Sequence, residues 1–201
     1  MDLSENVQIY MKLVNKKSFP KEIRPRFCKW CQKEIFFHHH GHYERFVYTL
    51  TEQLMIIIHR FICPLCRHTK GYLPNFIESH RQTAWEIHEE VLEKNNQGIS
   101  LEKAGEEISR PAGPYSAKTT WRWKKYWEQI IQEKEHKIWE LLLIHNPHLN
   151  IPVAQSKGKT PLDWLLKIWP GIQGGFRDKP GLLQWLYTII KTHPPAVTAG
   201  R

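Results

Sequence analysis

The chain has 201 residues, 41% of them hydrophobic, which suffices for one medium domain or two small ones. A formal charge of +9 and a pI near 9.4 favour polyanionic partners: DNA, RNA or an acidic membrane face. No stretch approaches the roughly 18–20 apolar residues of a bilayer span, and Met1 to Tyr10 lacks the basic start and apolar run of a signal peptide, so a cytoplasmic protein with no membrane partner is expected.

Residues 1–24 read as an N-terminal extension. Four cysteines follow in two pairs, Cys28-Lys-Trp-Cys31 and Cys63-Pro-Leu-Cys66. Two intervening residues let a pair of thiolates grip one tetrahedral ion with backbone amides turned toward the sulfurs. In a cytoplasmic chain such pairs are more often metal ligands than disulfides; two disulfides or four free thiols are the alternatives. Four soft thiolates leave no open position for an activated water. One structural zinc per chain, held by Cys28, Cys31, Cys63 and Cys66, is therefore expected, with no catalytic metal.

Between the pairs, Tyr43–Thr49 and Leu54–Ile62 are rich in β-forming residues and are separated by the polar Thr51-Glu-Gln53. Residues 25–74 thus read as a zinc ribbon, a β-hairpin carried on two CxxC knuckles. His38, His39, His40 and His42 are expected at the start of that hairpin. With four cysteines available they are not needed as ligands, and a position near phosphate suits them better than a second metal.

A linker from Arg67 to Ser79 leads to a helical stretch from about Arg81, with Ala84, Ile87, Val91 and Leu92 on one face and Gly98 at its end. Ser100 suits an N-cap for a short helix carrying Leu101, Ala104 and Ile108. Arg110–Tyr115 breaks the pattern, and Ser116 can cap a third helix that reaches about Glu133. Three helices in this order, with a short second and a basic third, fit a helix-turn-helix over residues 75–133. On the third helix Thr120, Trp123, Trp127 and Ile130 form a core stripe, and Lys118, Arg122 and Lys125 a basic stripe flanked by Thr119 and Trp121. These five, with Arg45 and Arg60 on the hairpin, are the expected DNA contacts. The alternative is an ordinary amphipathic helix with a solvated basic face.

Residues 134–192 read as C-terminal helices. Lys134–His145 extends the third helix or begins a fourth, with Ile138, Leu141, Leu142 and His145 inward. A loop follows from Pro147 to Lys159. Pro161–Trp169 turns Leu162, Leu165, Leu166 and Trp169 to one side. Gly171–Gly181 is a loop, and Leu182–Lys191 carries Trp185, Leu186 and Ile189. The tail 193–201 is expected to be flexible. The fold class expected is α+β: the zinc ribbon first, then a mostly α remainder.

The order His40-Gly41, Arg45, Arg60-Phe-Ile-Cys63-Pro64-Leu-Cys66, Leu73-Pro74 and Arg122-Trp123 resembles the DNA-binding front end of bacterial insertion-sequence transposases. It resembles still more closely a small stand-alone family of bacterial zinc-ribbon/helix-turn-helix proteins. The resemblance runs from Phe27 to Trp127, about half the chain. It implies binding to double-stranded DNA, with a transposase or integrase as a further partner. Little more than seventy residues follow the helix-turn-helix, with Asp163 and Asp178 as their aspartates and a helical reading interrupted by two Gly/Pro loops, so no transposase nuclease domain is expected. No Gly-rich phosphate loop, nucleophile elbow or His-Glu-x-x-His site occurs, and the chain is read as a non-enzyme. A zinc-dependent protein–protein adaptor and an RNA or single-strand binder are the other readings.

Overall fold

The structure, a computed structural model, describes residues 10–14, 19, 21, 24–78, 81–150, 160–176 and 180–192. The tail 193–201, most of the loop expected at 147–159, and Asp178 lie outside these residues.

Two short strands, β1 (Phe27–Cys28) and β2 (Lys33–Glu34), pair antiparallel around the first cysteine pair. The long strands β3 (His38–Tyr48) and β4 (Gln53–Ile62) pair antiparallel through the register Tyr48↔Gln53 to His38↔Ile62. That register slips between His39 and Gly41, so His40 is a bulge residue. Gly41 has φ of +110°, a backbone state that glycine adopts without penalty. A third strand, β5 (Thr69–Gly71), adds to β4 from within the expected linker. Three exposed polar residues carry no hydrophobic alternation, so nothing in the sequence pattern announces it.

Ile56 and Ile58 are buried on one face of the ladder, His59 and Phe61 on the other. The sheet is covered on both sides. Tyr10, from a helical turn at 10–14, donates to the carbonyls of Ile57 at 2.8 Å and Tyr72 at 3.2 Å. Phe19 packs on His59, Phe61 and Tyr72.

The remainder is helical: α1 (Trp85–Asn96), α2 (Leu101–Glu106), α3 (Ala117–His145), α4 (Pro161–Ile172) and α5 (Leu182–Thr192). The first begins four residues later than the periodicity suggests. Tyr48 and Thr83 form a parallel bridge, and the Ala84 amide donates to the Tyr48 carbonyl at 2.9 Å, so this segment continues the sheet before it coils. Gly98, at φ of +98°, ends α1 in a left-handed turn. Ser100 and Ser116 cap α2 and α3 as expected, accepting from the amides of Lys103 and Thr119.

Lys134–His145 extends α3 without a break, and the boundary drawn between residues 133 and 134 falls inside this helix. Its inner stripe is Thr120, Trp123, Trp127, Ile131, Ile138 and Leu142. Ile130 is only half-buried, because the 3.6-residue turn carries the stripe from Trp127 to Ile131. His145, expected inward, is exposed and rests its ring on Phe176.

Leu162, Leu165, Leu166 and Trp169 of α4 and Trp185, Leu186 and Ile189 of α5 are all buried, as their spacing indicates. They join Trp85, Leu92, Trp127, Ile138 and Leu142 in the larger helical core. Asp163 forms a reciprocal capping box with Thr160, and α4 runs through Pro170 to Ile172 before a 3-10 turn at Gln173–Gly175. A second helical core joins Ile87 and Val91 of α1, Ala104 of α2, Ile108, Ala112 and Trp123. The two faces of α1 therefore serve two cores.

Candidate metal centre and basic helix face

The strand pairing carries the cysteine pairs, 32 residues apart in sequence between Cys31 and Cys63, to one point. Cys28 Sγ lies 3.4 Å from Cys66 Sγ, and Cys31 Sγ lies 3.8 Å from Cys63 Sγ. All four sulfurs fall within 4.8 Å of one another, and no disulfide joins them. A tetrahedral ion with metal–sulfur distances of about 2.3 Å requires sulfurs about 3.8 Å apart. The donor set and its spacing fit such an ion, so these four residues could hold a metal. Among the described residues no other His/Cys/Asp/Glu group converges this closely.

The backbone is shaped for this purpose. The residue after each pair, Gln32 and Arg67, adopts a left-handed conformation with φ of 54° and 63°. Such a state is uncommon for a residue with a Cβ, and it recurs here at equivalent places in both knuckles. The Trp30 and Cys31 amides approach the Cys28 sulfur, and the His68 amide that of Cys66. Burial alone would push the Cys28 thiol up, but the amides of Cys31 and Trp30 and the thiols of Cys66 and Cys31 bring it down to about 6. Cys31 moves the other way, to about 12, through burial and through hydrogen bonds in which its thiol is the donor.

The first third of α3 carries the expected DNA contacts. Lys118, Trp121, Arg122 and Lys125 are exposed and Thr119 is half-buried. Lys125 makes one exposed ion pair with Glu128 at 3.1 Å. Lys124 is directed elsewhere: its Nζ donates to Asn95 Oδ1 at 2.9 Å and lies 3.7 Å from Asp163. Of the hairpin residues, Arg60 is exposed. Arg45 is half-buried, and its Nη2 donates to the Glu78 carbonyl at 3.1 Å. Glu78 also pairs with Arg81 at 2.6 Å and accepts from the Tyr126 hydroxyl at 2.9 Å, so Arg45 belongs to a joint between the sheet and α3.

The opposite side of the same stretch of α3 is tightly held. Thr120 Oγ1 donates to the Leu101 carbonyl at 3.0 Å. A Cβ on Gly105 would stand 2.6 Å from the Tyr115 carbonyl oxygen and 2.7 Å from Thr120 Cγ2, so glycine is what lets α2 approach α3. Trp123 stacks on His88 at 4.0 Å between ring centroids and 14° between planes. Trp127 Nε1 donates to His88 Nδ1 at 3.4 Å, and His88 Nε2 is 3.0 Å from Thr83 Oγ1. An indole only donates, so Nδ1 is an acceptor and the neutral ring carries its proton on Nε2. Burial, with Arg81 nearby, holds the His88 pKa well below 6.5.

Sequence reasoning missed this histidine, which occupies the α1 side of the Trp123 anchor. The signal was its position: His88 stands one residue after Ile87 and three before Val91, inside an apolar stripe. Sequence reasoning also missed Glu89. Its carboxylate accepts from the amides of Leu182 and Leu183 at 2.8 and 3.0 Å and so caps α5 from α1. Burial pushes it up to about 7 despite those two donors.

Residues 28–123, just under half of the chain, match a family model described as a domain of unknown function (DUF6431). The match begins at the first cysteine and ends at Trp123, so it takes in the four thiols, the sheet, α1, α2 and the anchored start of α3. No curated protein and no solved structure matches the chain. No helix among the described residues is long and apolar enough to cross a membrane.

Proposed function

We propose that this chain is a zinc-containing, double-stranded DNA-binding protein without catalytic activity, in which residues 25–74 act as a zinc ribbon and α1–α3 as a helix-turn-helix. The observation that carries the reading is the division of α3. Trp123, Trp127 and Thr120 fix its rotation from the inside, which leaves Lys118, Trp121, Arg122 and Lys125 on the outside of its N-terminal third. Recognition helices meet base edges through their N-terminal residues. Farther along, the exposed face acquires Glu133, Glu135 and Glu140 and becomes unsuited to a phosphate backbone. The zinc has a structural role: it closes the two knuckles and holds the base of the sheet that abuts α1. The resemblance of the chain's motif order, as read from the sequence, to insertion-sequence proteins motivates the reading as a transposon-associated regulator or transposition accessory, with a transposase or integrase as the protein partner.

The test is a fluorescence-anisotropy titration of zinc-loaded protein with random-sequence duplex at rising salt. The expected result is a log-linear loss of affinity from 50 to 200 mM salt with a slope of magnitude about 3 or more, as phosphate-bound cations release counterions. A flat response, or no duplex binding at low salt, overturns the reading.

A further inference from the structure

The end of the molecule around the cysteines has a surface that metal binding does not explain. Phe27, Trp30, Phe36 and Leu65 are 48%, 43%, 59% and 60% exposed. Phe27 stands on β1, Trp30 and Leu65 in the two knuckles, and Phe36 in the link from β2 to β3. Exposed apolar side chains are ordinary when scattered, but grouped they mark a contact. Trp30 does not fold back into the core. Its ring lies parallel to His68, which follows the other knuckle, with centroids 4.7 Å apart and planes 12° apart, so a flat aromatic pair links the two knuckles.

Cations sit on these rings. The Arg26 guanidinium lies 5.1 Å over Phe36 and the Lys29 ammonium 4.7 Å over Trp30. Lys33 stands on β2, Arg67 follows the second knuckle and Lys70 lies on β5, and among the described residues none of the five cations makes an ion pair with a carboxylate. Glu34 is the acid among these segments, and a zinc ion with four thiolates would add a double negative charge. The balance remains positive.

We propose that this surface binds single-stranded nucleic acid, with Trp30 and Phe36 stacking on unpaired bases and Arg26 and Lys29 shifting from the rings to the adjacent phosphates. It extends the reading of α3 as a duplex-binding helix with a second, separate contact. Flat aromatic faces interleaved with unpaired cations are what an unstacked base beside its phosphate requires. A duplex hides its base faces and would use the cations alone. A purely apolar peptide would leave five cations without partners.

Full-length, zinc-loaded protein is titrated with three labelled probes: a blunt duplex, an oligothymidine of roughly 12 nucleotides, and an abasic oligomer of equal length and charge. The oligothymidine is expected to bind at least tenfold tighter than the abasic oligomer. Trp30→Ala with Phe36→Ala is expected to weaken oligothymidine binding by tenfold or more and leave blunt-duplex affinity within twofold. Zinc content is measured on the same sample. If the alanine pair loses metal, Trp30→Phe with Phe36→Tyr, which keeps both rings, is expected to retain the preference, and Arg26→Gln with Lys29→Gln to weaken binding to both single strands. Equal binding of the thymidine and abasic oligomers overturns the proposal, as does wild-type oligothymidine affinity in a zinc-replete alanine pair. The blunt-duplex arm reports separately: loss of duplex binding in the wild type refutes the reading of α3, whatever the single strands do.

Discussion

Replacing Trp123 with alanine tests the division of α3 most directly, because the neighbouring Arg122 supplies its own control. Trp123 is 4% exposed, stacked on His88 and edge-on to Tyr115 at 4.7 Å. Truncating a buried aromatic of this kind costs about 3–5 kcal/mol, as lost transfer energy plus the cavity left behind. A domain is stable by about 5–15 kcal/mol, so the loss is a large fraction of the total. With a urea dependence of about 2 kcal/mol per molar, the unfolding midpoint should fall by roughly 2 M. The deficit should also shrink below pH 6.5, because His88 loses the ring that keeps water from it and can then take up a proton without leaving the fold. Arg122→Ala should change stability by no more than about 0.5 kcal/mol but weaken duplex binding by about 1–3 kcal/mol, or roughly 5–150-fold, if it grips a guanine. Urea titrations of both variants at pH 5 and 8, with duplex titrations alongside, decide the matter. If Arg122→Ala lowers the midpoint and Trp123→Ala does not, the helix has the opposite rotation and the recognition surface must be redrawn.

Two further predictions concern the metal and pH. Purified protein should contain about one zinc per chain; Cys63→Ser or chelation should release the metal and expose the knuckles to protease, and a zinc-free sample with intact protection would refute a structural site. Glu89, at about 7 in the fold against an ordinary 4.5, contributes stability that is full below pH 4.5 and is lost as pH rises through 7. Glu89→Gln should flatten that fall, so that the variant gains on the wild type between pH 5 and 8 by an amount on the order of 3 kcal/mol in urea titrations; parallel profiles would refute the assignment. His88, held below 6.5, acts in the opposite sense, since the unfolded chain takes up its proton first and stability falls as pH drops below 6.5. The Glu89→Gln profile should therefore show this acid loss uncovered.

Local chemistry was the legible part of this fold. The serine caps at Ser100 and Ser116, the left-handed stop at Gly98, the α4 and α5 stripes and the CxxC spacing within each cysteine pair all depend on residues near one another in sequence. What was not legible depends on long-range geometry. β5 is three exposed residues that become a strand because β4 offers its open edge. Gln32 and Arg67 carry no sign of a left-handed backbone; the two knuckles impose it. Glu89 caps a helix that begins 93 residues later, and Arg45, a plausible phosphate contact by composition, spends its guanidinium on the Glu78 carbonyl. The stripe of α3 drifted by one position at Ile130 because a short window of periodicity does not distinguish i+3 from i+4 beyond three turns.

The length of α3 has a mechanical consequence. Its 29 residues make a rod about 44 Å long, with neither glycine nor proline between Ala117 and His145. Lys118 to Lys125 span about 10 Å of it, close to the roughly 12 Å width of a major groove. Farther along, α4 packs against α3, while α5 packs on α1. With no hinge along the shaft, a torque applied at one end arrives at the other. Any body that seizes the C-terminal helices thereby sets the angle at which the N-terminal turns meet their target, and a target that fixes those turns aims the C-terminal helices in a defined direction some 30 Å away.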